Sequence, residues 1–284
     1  MHILFSLPVH DNNDIVRLTI ANAKQHVPDC TIVLHVSLMF HDFDWSIGDI
    51  QGVIINPMRL HTVHGNSQFG IHLWNHEFAL DRCIPYGVFC VLHTSEMFVR
   101  PGLNDVVSRH PYALWYDRNT MPRQINWSPM HMAKSANLFS EALPDHSWYL
   151  GSLLEGMWIH RHIMQVIFES CQTAPALLSP NIDWTLEEFA LPTLTNWFGG
   201  EHPHGEPYNA FFDKSFIEIS DVDRVLRGDP VELWAKNCWN TSGIPVMSDG
   251  ATKYSVKRLP RDINDPVRQH IIKVTGLDLS KVLV

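Results

Sequence analysis

Three stretches of the chain carry side chains whose types and spacing could do chemistry. The first is basic. Lys253, Lys257, Arg258, Arg261, Arg268 and Lys273 fall close together, opposed only by Asp262 and Asp265. In an extended segment Lys253, Ser255 and Lys257 share one face, and Arg258 points the other way. Cations held in this way can stabilise the charge that gathers on a departing diphosphate, as a metal ion would. The competing reading is a solvated charged face around Pro260. The second stretch is Thr185-Leu186-Glu187-Glu188. Thr185 and Glu188 have the spacing of a capping box that opens a helix, and a carboxylate there is also placed to take a proton from a hydroxyl. The third is His93-Thr94-Ser95-Glu96, directly after the apolar run Val88–Leu92. Glu96 is a single carboxylate where a metal-dependent site would need a pair.

Other candidate metal ligands are weaker. Asp42-x-Asp44 and Asp221-x-Asp223 follow no convincing strand. His160-x-His162 reads as helical, where positions i and i+2 diverge. His202-x-His204 lies in the Gly/Pro/His loop Gly199–Tyr208 with Glu201 and Glu206. That loop is the one place for a His-bound zinc and a hydrolase reading, but it has no H-E-x-x-H and no cysteine partner.

These residues need elements to position them. Ile3–Leu7 reads as a strand ended by Pro8, Asp14–His26 as an amphipathic helix, and Thr31–Val36 as a second strand. Two strands joined by a helix predict a parallel sheet. Gly52–Ile55 predicts a third strand, His72–Cys83 a helix, and Val88–Leu92 a central strand buried on both faces. The fold class is therefore α/β, and ligands in such sheets bind at the carboxyl ends of the strands. Val9-His10, Val36-Ser37, Gly65-Asn66-Ser67 and His93–Glu96 would border one crevice. Farther on, Leu154–Glu169 and Leu186–Phe198 read as helices, Lys253–Arg261 as a short strand with a turn at Pro260, and Asp265–Thr275 as a last helix. No repeat or linker divides the 284 residues. One domain is expected, with a ligand-binding half over residues 1–115 and a second half over 116–284.

The formal charge of −9 argues against a broad nucleic-acid surface. Five scattered cysteines with no C-x-x-C pair suit a reducing compartment. Residues 1–9 are too short an apolar run for a signal peptide, and no stretch approaches a membrane span. A cytoplasmic protein is expected, at most peripheral to a membrane surface.

Several of these pieces stand in the order of a known family. Val9-His10, Leu34-His35-Val36-Ser37, His64-Gly65-Asn66-Ser67 and Val91–Glu96 resemble elements of the core-2/I-branching N-acetylglucosaminyltransferase and xylosyltransferase family. So do Gly151-Ser152, Thr185–Glu188 followed by Leu194, and Tyr254–Arg258. The resemblance spans roughly residues 3 to 260. It implies a GT-A-like fold and an inverting, metal-independent transfer of a sugar such as GlcNAc or xylose from a UDP-sugar to a glycan hydroxyl. The nucleotide sugar is then substrate, and no cofactor is implied. Glu188 would be the general base. Lys257, with Arg258 or Lys236, would bind the diphosphate, while Val9, His10, Ser37 and His64 would lie along the nucleotide. Glu96, Glu187 and Trp184 would meet the sugar and acceptor. Ser37 stands where the family has Asp, and the family's second cation has only Lys236 near its place. The family's secretory members carry an anchor and many cysteines, and this chain has neither. A bacterial or viral cytosolic relative serving surface-polysaccharide synthesis is therefore expected. A glycan-binding protein without turnover is the alternative outside enzymes.

Overall fold

The computed structural model describes residues 1–10, 12–61, 67–114, 154–178, 186–200, 205–210, 212, 215–232 and 247–281. The chain opens with strand β1 (Ile3–Val9), buried along its whole length. Asn12 caps helix α1 (Asn13–His26), its side chain accepting from the Asp14 and Ile15 amides. Strand β2 (Cys30–Val36), strand β3 (Val53–Asn56), helix α2 (Ser67–Asp81) and strand β4 (Val88–Val91) follow. β1 pairs in parallel with β2 and β4, and β2 in parallel with β3. Next come strand β5 (Glu96–Phe98), helix α3 (Leu103–Val107), strand β6 (Trp158–His160) and helices α4 (Arg161–Thr173) and α5 (Glu187–Gly199). The remainder is strand β7 (Asn209–Ala210), helix α6 (Ile219–Arg227), strands β8 (Val231–Glu232), β9 (Met247–Ser248) and β10 (Ser255–Lys257), and helix α7 (Pro266–Thr275).

The central sheet has the order β3-β2-β1-β4-β6 and is parallel except for β6. This is the expected α/β class with a mostly parallel sheet. Strand alternation sorts its side chains. Ile3, Phe5, Leu7 and Val9 pack with Val16, Ile20 and Ala23 of α1, whereas Leu4 packs on the other face with residues of α2, α4 and α5. A second sheet, β5-β10-β7, stands against α6 and α7 around Met97, Val256 and Ile271.

Two expectations are corrected. Pro8 does not end β1 but lies inside it. Ile3 and Val9 make their ladder bonds on the β2 side, whereas Ser6 accepts from Leu92 on the β4 side. Pro8 shares the parity of Ser6, and pairing with β4 stops at Ser6, so its missing N–H forfeits no ladder bond. The helix expected over Leu154–Glu169 begins only at Arg161. Glu155-Gly156 make a turn, with Gly156 at φ 72°, and the following Trp158–His160 becomes the antiparallel edge strand.

Candidate active site

The carboxyl ends of β1 and β2 are tied together, the Ser37 amide donating to the Val9 carbonyl at 2.8 Å. The Val9 side chain is buried in the core, so His10 is the residue of that pair that reaches the crevice. Ser37 is buried too, and its hydroxyl accepts from the Met39 amide. Sequence reasoning missed Arg59 here. Its guanidinium bonds the carbonyls of Val36, Ser37 and Phe40 and lies 5.4 Å over the Trp45 ring. A lone arginine in a loop offers no periodicity by which to find it.

Beneath this edge, histidines gather on the α2 side of the sheet. His72 bonds the Ser6 hydroxyl at 2.8 Å. Burial, and then the neighbouring His35, lower its pKa to about 3. His93, just past β4, is held well below the usual imidazole range, first by burial and then by Lys257, His72, Arg261 and His10. These effects place Lys257, Arg261 and three histidines within electrostatic reach of one another.

The acidic half of the site is built by the second sheet. β10 pairs antiparallel with β5 so that Lys257 lies directly opposite Glu96. Glu96 is fully buried. The Ser255 hydroxyl donates to its Oε1 at 2.5 Å, and Oε2 finds no partner among the described residues. Burial raises its pKa to about 7. Ser255 and Lys257 oppose the rise, and Glu155 adds to it. Lys257, nearly buried itself, donates to Glu155 Oε1 at 2.5 Å. Glu155 is aimed by the turn at Gly156. A Cβ on Gly156 would come 2.7 Å from the Asn209 amide nitrogen, so neither the conformation nor the space admits a side chain. Sequence reasoning missed Glu155 because its segment reads as helix; a Glu-Gly pair before an apolar, β-branched run is the available signal.

Helix α5 starts beside these groups. Its N-cap is Leu186, with no side-chain cap, rather than Thr185, which lies outside the described residues. Glu187 is buried, and its pKa is held well above the usual carboxylate range. Burial is the main cause; its own backbone amide opposes the shift, and Glu188 and Glu155 add to it. Glu188 follows in the first turn and is half-buried. Pro192 stands four residues on, so the Glu188 carbonyl receives no helical bond from it.

The structure thus brings Glu96, Glu155, Glu187, Lys257 and His93 together, with Glu188 adjoining. The rest of the basic stretch disperses: Arg261 and Lys273 are exposed, whereas two of its cations serve the interior. Lys253 is fully buried, donating to the Pro207 carbonyl at 2.9 Å and pairing with Glu206 at 3.2 Å. Arg268 is fully buried, donating to the carbonyls of Thr94 and Pro260. Arg258 turns away from Lys257 at φ 72°. Three of the four Asp-x-Asp carboxylates have structural uses. Asp44 pairs with Arg17, Asp221 accepts from the Glu218 amide in a capping box, and Asp223 meets His270 at 2.7 Å. His160 ends β6 rather than lying on a helix, and bonds the Val107 carbonyl. Among the described residues no three His, Cys, Asp or Glu side chains converge as metal ligands, and no helix is long and apolar enough to cross a membrane. His64, Trp184, Lys236 and the His202-x-His204 pair lie outside the described residues.

No family model and no curated protein matches the sequence. Among solved structures, the chain is similar to the apo form of the glycosyltransferase GlyE of Streptococcus pneumoniae TIGR4, with a TM-score of 0.41 and 9% identity over 99% of this chain and 62% of that one. A second GlyE structure gives 0.38 and 8% over the same shares. The bifunctional glycosyltransferase WbbM in its apo form gives 0.43 and 10% over 96% of this chain and 51% of that one. The chain therefore spans between half and two thirds of the length of these proteins. Likeness at this level carries no argument about chemistry, which rests on the geometry above.

Proposed function

We propose that the chain is an inverting glycosyltransferase of GT-A type that moves a sugar from a UDP-sugar to a hydroxyl of a glycan acceptor. The observation that supports this most is the placement of one buried lysine among carboxylates at the carboxyl edge of a mostly parallel sheet. Such a site offers a cation for a leaving diphosphate and a carboxylate for an incoming hydroxyl. Glu188, half-buried at the start of α5, takes the proton of the acceptor hydroxyl. The hydroxyl oxygen bonds to the anomeric carbon from the face opposite the nucleotide, and the bond to the diphosphate breaks. Lys257 receives the developing charge, with Lys236 rather than the diverging Arg258 as the second cation. Burial holds the pKa of the neighbouring Glu187 well above the usual carboxylate range, which favours its neutral form beside Glu188. His10 and Ser37 lie along the nucleotide, Trp184 belongs to the sugar side, and Glu96, fully buried, stands behind Lys257. Residues 1–115 form the donor half and 116–284 the acceptor half of one metal-independent, cytoplasmic enzyme of surface-polysaccharide synthesis.

The test is a panel of nucleotide sugars, read by thermal shift and by donor turnover, with the transferring pair then assayed in EDTA. A UDP-sugar should raise the melting temperature, and transfer should persist in EDTA. Glu188→Gln should slow transfer by about 10²–10⁴, with little change in donor affinity or melting temperature, and Glu187→Gln should cost far less. A fully active Glu188→Gln enzyme would end its assignment as base. Loss of transfer on chelation, restored by manganese, would end the metal-free reading.

A further inference from the structure

We infer that Glu96 is a positioning residue that sets the charge beside Lys257, so that a nucleoside diphosphate enters the site together with one proton. This rests on the reading of Lys257 as the diphosphate ligand. The geometry supplies two carboxylates and one ammonium. Lys257 lies opposite Glu96 across the β5–β10 pair and is bound to Glu155 at 2.5 Å. With Glu96 ionised, this trio carries one net negative charge; with Glu96 protonated, it is neutral. A diphosphate that recruits Lys257 brings further negative charge into a poorly solvated space, where like charges oppose each other strongly. Protonation of Glu96 removes that opposition.

Glu96 is built to accept the proton. It is fully buried, its Oε1 is engaged by Ser255 at 2.5 Å, and its Oε2 finds no partner among the described residues. An ionised carboxylate with one bonded oxygen in a buried site is poorly compensated. The groups that face it come from five sides. β10 brings Ser255 and Lys257, and the turn before β6 brings Glu155. β4 brings the Cys90 thiol, and the segment before β7 the Tyr208 phenol. The β4–β5 turn brings the His93 backbone, and α7 reaches this turn through Arg268, which bonds the Thr94 carbonyl. Burial pushes both the thiol and the phenol up, so neither supplies charge at neutral pH. Glu96 titrates near neutrality. Anion binding raises its pKa further, so the proton comes from solvent on binding and returns to it when the diphosphate leaves. No other bond forms or breaks.

The experiment is calorimetric titration of UDP into the wild-type chain and Glu96→Gln, from pH 7.0 to 8.5, in buffers of low and high ionisation enthalpy. UDP titrates alike in both, so the difference belongs to the protein. The wild type should take up nearly one more proton than the variant at pH 8. Its affinity should fall up to about tenfold per pH unit relative to the variant above pH 7.5. Equal proton uptake and parallel pH profiles would overturn the inference while leaving Lys257 as a ligand. Absence of UDP binding at every pH would overturn the Lys257 reading, and this inference with it. Side-chain carbon NMR of the wild type provides a reading that needs no variant. The titration midpoint of Glu96 should move upward by about two pH units when UDP is present, and an unmoved midpoint would overturn the inference.

Discussion

Replacing Glu96 by glutamine should stabilise the protein at pH 8 relative to its effect at pH 5. In the folded chain the carboxyl has a pKa of about 7, against an ordinary value of 4.5. Below the ordinary value both folded and unfolded chains hold the proton, and stability suffers nothing. As pH rises, the unfolded chain releases the proton while the folded chain retains it, and stability falls by about 1.4 kcal/mol per pH unit until the folded carboxyl also ionises. The loss reaches about 3 kcal/mol by pH 8. The glutamine side chain of the variant does not titrate. Its oxygen still accepts from Ser255, and its amide nitrogen meets the same unpartnered space as Oε2. That exchange shifts stability by a constant amount at every pH. About 0.8 kcal/mol of that loss is already present at pH 5, so the difference between variant and wild type should rise by about 2.5 kcal/mol from pH 5 to pH 8. With an unfolding entropy of about 2.1 cal/mol/K per residue, this is about 4 °C in melting temperature. Thermal melts of both chains across this range provide the check. Groups such as Glu187 and His93 titrate alike in both and cancel. Melting curves that stay parallel across the range would refute the claim that burial holds the proton on Glu96.

Lys257→Ala should weaken UDP binding by about 1.5–3 kcal/mol, the worth of one charge-assisted contact, and should also lower the melting temperature because Glu155 loses its cation; unchanged UDP affinity would leave Lys257 a purely structural partner of Glu155. Lys253→Met removes a buried cation that holds the Pro207 carbonyl, so calorimetry should find stability altered and UDP affinity unchanged. Gly156→Ala forces a Cβ into a left-handed turn and against the Asn209 amide. A denaturant melt should register a loss of about 1–3 kcal/mol, accompanied by slower transfer as Glu155 shifts.

The first half of the fold is legible because its signals are local and agree. Ile3–Leu7, Thr31–Val36 and Val88–Leu92 are apolar runs bounded by turns, and the helix from Asp14 has its cap and its period. Glu96 and Lys257 each stand out from their neighbours in sequence, but nothing in spacing or composition says that they face each other. Their pairing depends on β5 and β10, three-residue strands too short for any periodicity. Pro8 reads as a stop because a sequence does not show which side of a strand is already without a neighbour. The start of α4 is illegible because Trp158 and Ile159 satisfy a helical period and a strand equally well, and only the β4 edge decides between them. Burial likewise has no sequence signature: Lys253 and Arg268 look like surface cations until the carbonyls they satisfy are known.

The bond from Ser255 to Glu96 joins residues 159 positions apart, and this has a consequence for how the protein comes into being. Closing so long a loop costs entropy before the contact repays it, so contacts of such span are slow to form. Until β10 docks, β5 lacks the partner that covers its edge, and Glu96 lies in water, where a carboxylate ionises. When β10 docks it closes that edge, and the carboxylate must gather a proton from solvent as it loses its water. Lys257 arrives on the same strand. The docking of β10 thus takes Glu96 out of water and brings Lys257 opposite it in a single event.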